Sequence, residues 1–244
     1  MKHIASLLTI TFMMLCASLF STFSYAQGSM QLAPLRLALS DSVTTSTLIV
    51  KNRSDTPTLV QLELLSWSQK NNDNVLEPSR DVLISPPVFT IPANGEQILR
   101  AVLRRKADPN KELSYRLFVR EVQDQSSLAT DGSVKVLLNI SIPIFIEPAA
   151  KLSSKLLWHA SMSGAHKINI KLANNGLQHV QIKSFQLSSD GVNPISQNVM
   201  RYVLPGSSTE WTFENKDAPF KSPLTLQAIT DNGDLRETIT LEQP

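Results

Sequence analysis

The stretch that decides the fold class runs VKVLLNISIPIFI over residues 134–146. Because successive side chains of a β-strand point to opposite faces, a period of two residues predicts a strand. The even positions form one continuous apolar stripe: Val134, Val136, Leu138, Ile140, Ile142 and Ile144. The odd positions between them are Lys135, Leu137, Asn139, Ser141 and Pro143.

The same period of two residues recurs on both sides of this stretch, and helical periodicity is hard to find. Residues 60–64 and 98–103 alternate before it, and residues 168–172 alternate after it. Turn-forming residues separate the runs, as in Asn-Asn-Asp-Asn at 71–74 and Pro-Ala-Asn-Gly at 92–95. Strands at such close spacing predict an all-β chain built from antiparallel sandwiches.

A domain boundary follows the apolar stretch. Proline and small residues at 148–150 resemble a short linker, and the alternating pattern restarts after them. The sequence predicts a first domain over residues 27–147 and a second over residues 148–244. Each has the size of one immunoglobulin-like sandwich, so we expect two such sandwiches in tandem.

The first 26 residues have the features of a secretory signal peptide. Lys2 precedes an apolar run over residues 4–20, and Ser24-Tyr25-Ala26 forms a small-x-small cleavage site. An uncleaved membrane anchor is the alternative, but the run is short for a membrane span. We expect an exported mature chain that starts at Gln27, inserts in no membrane and has no cysteine.

Composition and motifs argue against several functional classes. Lys and Arg total 23 and Asp and Glu 21, without a basic block, so nucleic acid is not an expected partner. His159, His166 and His179 lack the spacing of metal ligands, and nucleophile-elbow and phosphate-loop motifs are absent. We expect neither an enzyme nor a bound metal or cofactor.

The apolar stripe has two interpretations. Most stripes of this kind face their own sandwich core. However, Pro143 has no N–H for a sheet ladder, and a long polar segment, residues 123–133, comes before the stripe; both features favour an edge strand. A long apolar edge strand is an aggregation hazard, so a protein that keeps one is expected to offer it to a partner by strand addition.

Several further segments carry a family resemblance. They are APLRL at 33–37, LIVKN at 48–52, ISPPVFTIP at 84–92, QILR at 97–100, ELSYRLFVRE at 112–121 and the strand that ends in IPIFIEP at 142–148. With these segments the chain resembles the periplasmic chaperones of the chaperone–usher pilus pathway, which are boomerang-shaped proteins with two immunoglobulin-like domains. The resemblance covers the first domain in order and spacing, and the second mainly in size and pattern.

The resemblance implies a function. Pilus and fimbrial subunits in this pathway lack their last strand, and the chaperone folds and caps them by donor-strand complementation before delivery to an outer-membrane usher. The implied groove-filling residues are Val134, Val136, Leu138 and Ile140, and the implied location is the periplasm. Self-association of the free protein would use the same edge. The alternative is a secreted immunoglobulin-like structural or adhesin module whose stripe is simply core.

The resemblance also implies an anchor for the carboxylate at the C-terminus of the subunit. Arg36 matches the first cation of the family's pair, and a guanidinium can hold a carboxylate with two parallel hydrogen bonds. The second cation is usually a lysine on the lent strand, and Pro143 replaces it here. Arg100, on a neighbouring predicted strand, is our candidate replacement, with Arg104 and Arg105 as weaker ones. The alternative for Arg36 and Arg100 is a surface charge.

A second departure concerns the contact between the domains. The arginine expected two residues after Phe145 is Glu147, and its acidic partners are matched by Glu112 and Asp231. Three carboxylates cannot form a bridge, so we expect another cation or a shifted geometry. These departures resemble a divergent branch, nearer to the archaic or alternative chaperones.

Overall fold

The computed structural model describes residues 30–122, 136–149, 155–164, 166–215 and 219–242. All regular secondary structure in these residues is β-strand, which confirms the all-β prediction. Within the same ranges no helix could span a membrane.

The first sandwich is built from the described residues up to 146. Its strands are β1 (Met30–Ala33), β2 (Leu37–Leu39), β3 (Thr45–Asn52), β4 (Thr58–Lys70), β5 (Asp73–Pro78), β6 (Val82–Ser85), β7 (Val88–Ile91), β8 (Glu96–Leu103), β9 (Leu113–Val122) and β10 (Asn139–Ile146). One sheet has the order β1-β3-β8-β6. The other has the order β2-β10-β9-β4-β5, and β7 also pairs with β4.

The second sandwich is built from the described residues after 155. Its strands are β11 (Leu156–Gly164), β12 (Lys167–Asn174), β13 (Val180–Ser189), β14 (Val192–Val203), β15 (Ser208–Glu214), β16 (Leu224–Thr230), β17 (Gly233–Ile239) and β18 (Leu241–Glu242). Its sheets have the orders β15-β12-β11-β18 and β14-β13-β16-β17.

Each sandwich encloses its own apolar core because its strands alternate buried and exposed side chains. In β8, Leu99 and Ala101 are buried, and the residues between and beside them face outward. From β10, Ile142, Ile144 and Ile146 enter the same core. Full burial of such a side chain contributes about 1.5–3 kcal/mol to folding.

The edge of the second sheet positions the candidate site. β10 pairs with β9 in antiparallel fashion along its whole length. On its other side it pairs with β2, in parallel, only at Ile144–Ile146. Residues 139–143 therefore have no strand on that side among the described parts of the chain. We call this the open edge of β10.

Candidate functional site

The apolar stripe runs from the core into solvent. Ile144 is fully buried, Leu138 and Ile140 are half-buried against the same core, and Val136 is 76% exposed. The two interpretations of the stripe thus each hold for one part of it: its C-terminal half is core, whereas its N-terminal end is available to a partner. Val134 lies outside the described residues.

The strand is shorter at its start than the sequence predicts. β10 begins at Asn139, and residues 136–138 precede it without strand geometry. Among the described residues, this segment has a neighbouring strand on one side only, where the Glu121 N–H donates to the Leu138 carbonyl at 2.8 Å. A single neighbour leaves half of their backbone groups without a ladder partner.

The same hydrogen bond fixes which backbone groups of β10 face the open edge. Because the Leu138 carbonyl faces β9, the even residues of β10 direct their N–H and C=O groups to β9. The odd residues direct theirs to the other side. At the far end of the strand, the Glu147 N–H indeed donates to the Leu39 carbonyl next to it, at 2.8 Å.

Two residues of the open edge therefore offer backbone groups to an added strand. Asn139 and Ser141 each offer an N–H donor and a carbonyl acceptor. Pro143 has no N–H, and in the parallel register of Ile144 with Leu37 its carbonyl faces the Leu37 N–H. The ladder of donors along the open edge ends at Ser141.

Arg36 lies at the closed end of this edge, directly before β2. Its Nη1 donates to the Asp231 Oδ2 at 2.9 Å, an ion pair across the two sandwiches in which the side chains are 49% and 11% exposed. Its contacts with described residues all use Nη1. The Nη2 and Nε donors of this half-exposed guanidinium thus have no partner among the described residues.

His179 joins the two acidic residues that the sequence places between the domains. Its Nδ1 lies 2.7 Å from the Glu112 Oε1, and its Nε2 lies 3.4 Å from the Asp231 Oδ2. Its ring stacks on Phe145 of β10, with 3.6 Å between the ring centroids. Another cation or a shifted geometry was expected here. His179 lies between the two carboxylates, and Glu147 is exposed.

His179, Asp231 and Glu112 together form what we call the His179 centre. Within it, His179 and Asp231 favour each other's charged form. Burial disfavours a charged imidazole, but the hydrogen bonds and charges of Asp231 and Glu112 outweigh it and raise the pKa of His179. Burial likewise opposes ionisation of Asp231, but His179, the Gln181 N–H and Arg36 lower its pKa. Both shifts favour the charged forms of His179 and Asp231, which therefore stabilise each other.

The geometry of His179 does not suit a metal or a nucleophile. Its two ring nitrogens face different carboxylates, and neither faces a hydroxyl group of a described residue. In the parts of the chain that the structure describes, no three His, Cys, Asp or Glu residues are arranged to hold a metal ion.

Arg116 is a cleft residue that sequence reasoning missed. It pairs with Pro143 in the β9–β10 register, and its guanidinium carbon lies 3.8 Å from the ring centroid of Trp67. Tyr202 of the second sandwich is the next aromatic ring, at 5.5 Å. The strand register alone identifies the pair with Pro143, and a sequence does not give that register.

The prediction that Arg100 lies on a strand next to β10 is wrong. β8, which carries Arg100, belongs to the sheet that does not contain β10, and Arg100 is exposed on the outer face of that sheet. Alternating patterns identify strands but not the sheet that each strand joins. Arg104 is also exposed, and Arg105 forms an ion pair with Asp81 at 3.1 Å.

A hairpin gives the two sandwiches a second contact. At the tip between β4 and β5, Asn71 and Asn72 have positive φ angles of 51° and 71°, as tight hairpin turns require. The side chain of Asn72 accepts a hydrogen bond from Thr209 at 2.6 Å, and its carbonyl accepts one from Arg201. Gln69 donates to the Tyr202 carbonyl at 2.9 Å. These contacts hold Tyr202 over the cleft beside Arg116.

Residues 29–151 match the family model described as pili and flagellar-assembly chaperone, PapD N-terminal domain. No curated protein sequence matches the chain.

Solved structures of chaperones share the fold over most of the chain. The CsuC–CsuE chaperone–tip adhesion subunit pre-assembly complex, from the archaic Csu pili of Acinetobacter baumannii, matches at 20% identity and a TM-score of 0.66, covering 88% of this chain and 100% of that one. The Salmonella enterica SafA pilin in complex with the SafB chaperone matches at 20% identity and 0.60, covering 87% and 97%. The E. coli chaperone DraB matches at 23% identity and 0.58, covering 86% and 98%. The prediction of two tandem immunoglobulin-like sandwiches is confirmed.

Proposed function

Because the chain belongs to the family of pili and flagellar-assembly chaperones, we propose that it binds a fimbrial subunit by lending it β10. The open edge of β10 is the observation that carries this proposal. It combines unpaired backbone groups with an apolar stripe that continues from the core to the exposed Val136. Strand addition uses these two features, the backbone for affinity and alternate side chains for specificity.

The position of β2 favours one orientation for a strand added to the open edge. β2 runs parallel to β10 and begins at Leu37, so an added parallel strand lies in line with β2 and ends just before Arg36. Its C-terminal carboxylate would then meet the free donors of the Arg36 guanidinium. An antiparallel strand would bring an N-terminal ammonium to the same guanidinium, which repels it. Parallel addition of a C-terminal strand is therefore the favoured mode.

The apolar stripe supplies the groove-filling side chains. We assign this role to Val134, Val136, Leu138 and Ile140. Each fully buried side chain contributes about 1.5–3 kcal/mol, from which the cost of ordering the two chains is subtracted. The half-buried Leu138 and Ile140 retain apolar surface for a guest, and Val136 retains most of its own.

The remaining parts of the proposal follow from the family. Residues 1–26 direct export to the periplasm, 27–147 form the chaperone domain and 148–244 the second domain. The partners are fimbrial subunits, in keeping with the subunit complexes of the Acinetobacter and Salmonella proteins, and an outer-membrane usher that receives them. The work is binding rather than catalysis, because the His179 centre joins the two domains and offers no nucleophile.

Subunit recovery tests this function. In the native host, Val136→Asp is expected to remove the subunit from the periplasm, because a charge cannot enter an apolar groove, and to leave this protein folded. The matched control is Ile98→Asp, another exposed apolar residue that lies on the other sheet and is 56% exposed. It should leave the subunit level unchanged.

Two results would overturn the proposal. Normal subunit maturation in cells without this protein removes the need for a chaperone. Unchanged subunit recovery with loss of surface attachment in Val136→Asp would indicate an adhesin module.

A further inference from the structure

Glu121 interrupts the hydrogen-bond ladder at the point where β10 begins. Glu121 and Leu138 are the next opposite pair after Arg120 and Asn139, and in a regular ladder each would donate its N–H to the carbonyl of the other. The Glu121 N–H does donate to the Leu138 carbonyl, at 2.8 Å. The Leu138 N–H instead donates to the side-chain Oε2 of Glu121, at 3.3 Å. A carboxylate thus takes the place of a carbonyl directly before the first residue of the strand.

This carboxylate belongs to the core-facing side of the sheet. Leu117 and Val119 of β9 are buried in the core, and the half-buried Glu121 follows them with the same period of two residues. The neighbouring Arg120 is paired with Glu63, at 2.6 Å, and Glu121 forms no ion pair with a described residue. An inward-pointing charge beside a short edge strand is one of the features by which proteins prevent an edge from pairing with other chains.

The hydrogen bond between the Glu121 side chain and Leu138 is easily exchanged for another. Its N···O distance of 3.3 Å is longer than the usual distance of about 2.9–3.0 Å. The Glu121 carbonyl faces β10 and accepts no hydrogen bond from a described residue. The Leu138 N–H therefore has two alternative acceptors, one on the side chain and one on the backbone of the same glutamate.

Transfer of the Leu138 N–H to the Glu121 carbonyl would lengthen β10 toward Val136. Because odd residues of the strand face the open edge, Leu137 would then add an N–H and a carbonyl to those of Asn139 and Ser141. The exposed Val136 would join the apolar face of the strand. A guest strand gains backbone hydrogen bonds and apolar contact from the longer form, so its binding shifts the equilibrium toward that form.

Resting on the proposed function, we propose that Glu121 is a positioning residue that keeps the lent strand short until a guest strand extends it. In the free protein, the Glu121 carboxylate holds the Leu138 N–H outside the ladder. In the complex, this N–H passes to the Glu121 carbonyl, and the carboxylate turns to solvent. Glu121 thereby limits the edge that the free protein exposes to other chains, and it weakens guest binding by the same amount.

Amide hydrogen exchange, measured by NMR on the purified free protein, distinguishes this role from that of a simple cap. A simple cap predicts faster exchange of the Leu138 N–H in Glu121→Ala, because its acceptor is lost. We expect the reverse, about fivefold slower exchange than in the wild type, because the N–H then donates to the carbonyl. Glu121→Gln keeps a weaker acceptor and should lie between the two. The matched control is Glu63→Ala, which removes an acidic residue of the same sheet that pairs with Arg120, and it should exchange as the wild type does.

Release of the guest gives a second readout. The subunit identified in the recovery experiment is bound to each variant, and its release is followed by exchange onto a differently tagged wild-type protein. Glu121→Ala should release the subunit about fivefold more slowly than the wild type, because no carboxylate competes for the Leu138 N–H. Glu63→Ala should release it at the wild-type rate.

The two readouts separate failure of this inference from failure of the proposed function. Faster or unchanged Leu138 exchange in Glu121→Ala, or release at the wild-type rate, would overturn the role of Glu121, while capture of the subunit by the wild type would leave the proposed function standing. If the wild type captures no subunit, the proposed function itself fails.

Discussion

The two halves of β10 have the same alternating pattern and opposite surroundings. The C-terminal half, residues 142–146, has a strand on both sides for its last three residues and contributes three isoleucines to the core. The N-terminal part, residues 136–140, has a strand on one side only among the described residues and begins at a valine that is 76% exposed. Neighbouring strands, and not the alternating pattern, thus decide whether an apolar stripe is buried in its own core or left exposed.

The largest expected effect is on the free energy of unfolding, which should change far more for a substitution in the C-terminal half of β10 than for one in the N-terminal part. Ile144→Asp places a charge in the core and should cost about 4–5 kcal/mol or more, enough to unfold a marginally stable protein. Val136→Asp should change the free energy of unfolding by only about 0.5 kcal/mol. Urea denaturation measures both, and an equal loss in the two variants would refute the contrast.

Substitutions in the middle of the stripe should affect both the stability of the protein and the capture of a subunit. Leu138→Ala and Ile140→Ala are each expected to cost about 1–2 kcal/mol, since full burial would make the cost 2–5 kcal/mol and these side chains are half-buried. Both should also weaken subunit capture. If either variant affected stability alone, that position would belong to the core half.

The stability of the protein should depend on pH through the buried half of β10, where Phe145 stacks on His179. Because Asp231 and Glu112 raise the pKa of His179 above 6.5, the folded protein holds this proton more tightly than the unfolded chain does. The stabilisation is complete below about pH 6.5 and is lost as the pH rises through the raised pKa. At low pH, it falls again as Asp231 is protonated through its lowered pKa, below 3.8.

Thermal denaturation across this range tests the assignment. The wild type should lose stability from pH 6.5 upward, and His179→Gln should show no such loss there, because glutamine does not titrate. A slope that persists in His179→Gln would assign the titration to another group.

A small effect on stability is also expected at Arg36. Its ion pair with Asp231 is half-exposed, so Arg36→Ala should cost about 0.5–1 kcal/mol. Subunit capture should nevertheless weaken. Circular dichroism melting and subunit recovery give the two readouts, and wild-type recovery would remove Arg36 from the anchor.

The strands and the edge character of β10 could be predicted from local chemistry, whereas the need for a cation beside Glu112 and Asp231 was inferred from the family resemblance. Alternation is a local property of a chain, and so is the lack of an N–H in Pro143. Like charges near one another demand compensation wherever they occur. None of these inferences required the sheet order.

The partners that join strands or domains could not be predicted in this way. His179 lies 67 residues from Glu112 in the chain, and only the packing of the second sandwich brings it there. Arg116 depends on the register of β9 against β10. Arg100 was misplaced for the same reason, because strand spacing does not reveal that β8 and β10 belong to different sheets.

The three-residue length of β2 has a consequence for the range of guests. β2 blocks the edge of β10 at Ile144–Ile146, and nothing comparable blocks the approach to Asn139 from the other direction among the described residues. In the proposed parallel addition, the last residue of a guest strand therefore has a fixed position just before β2. Different clients could vary freely in how far they extend upstream, yet all would have to finish at the same place.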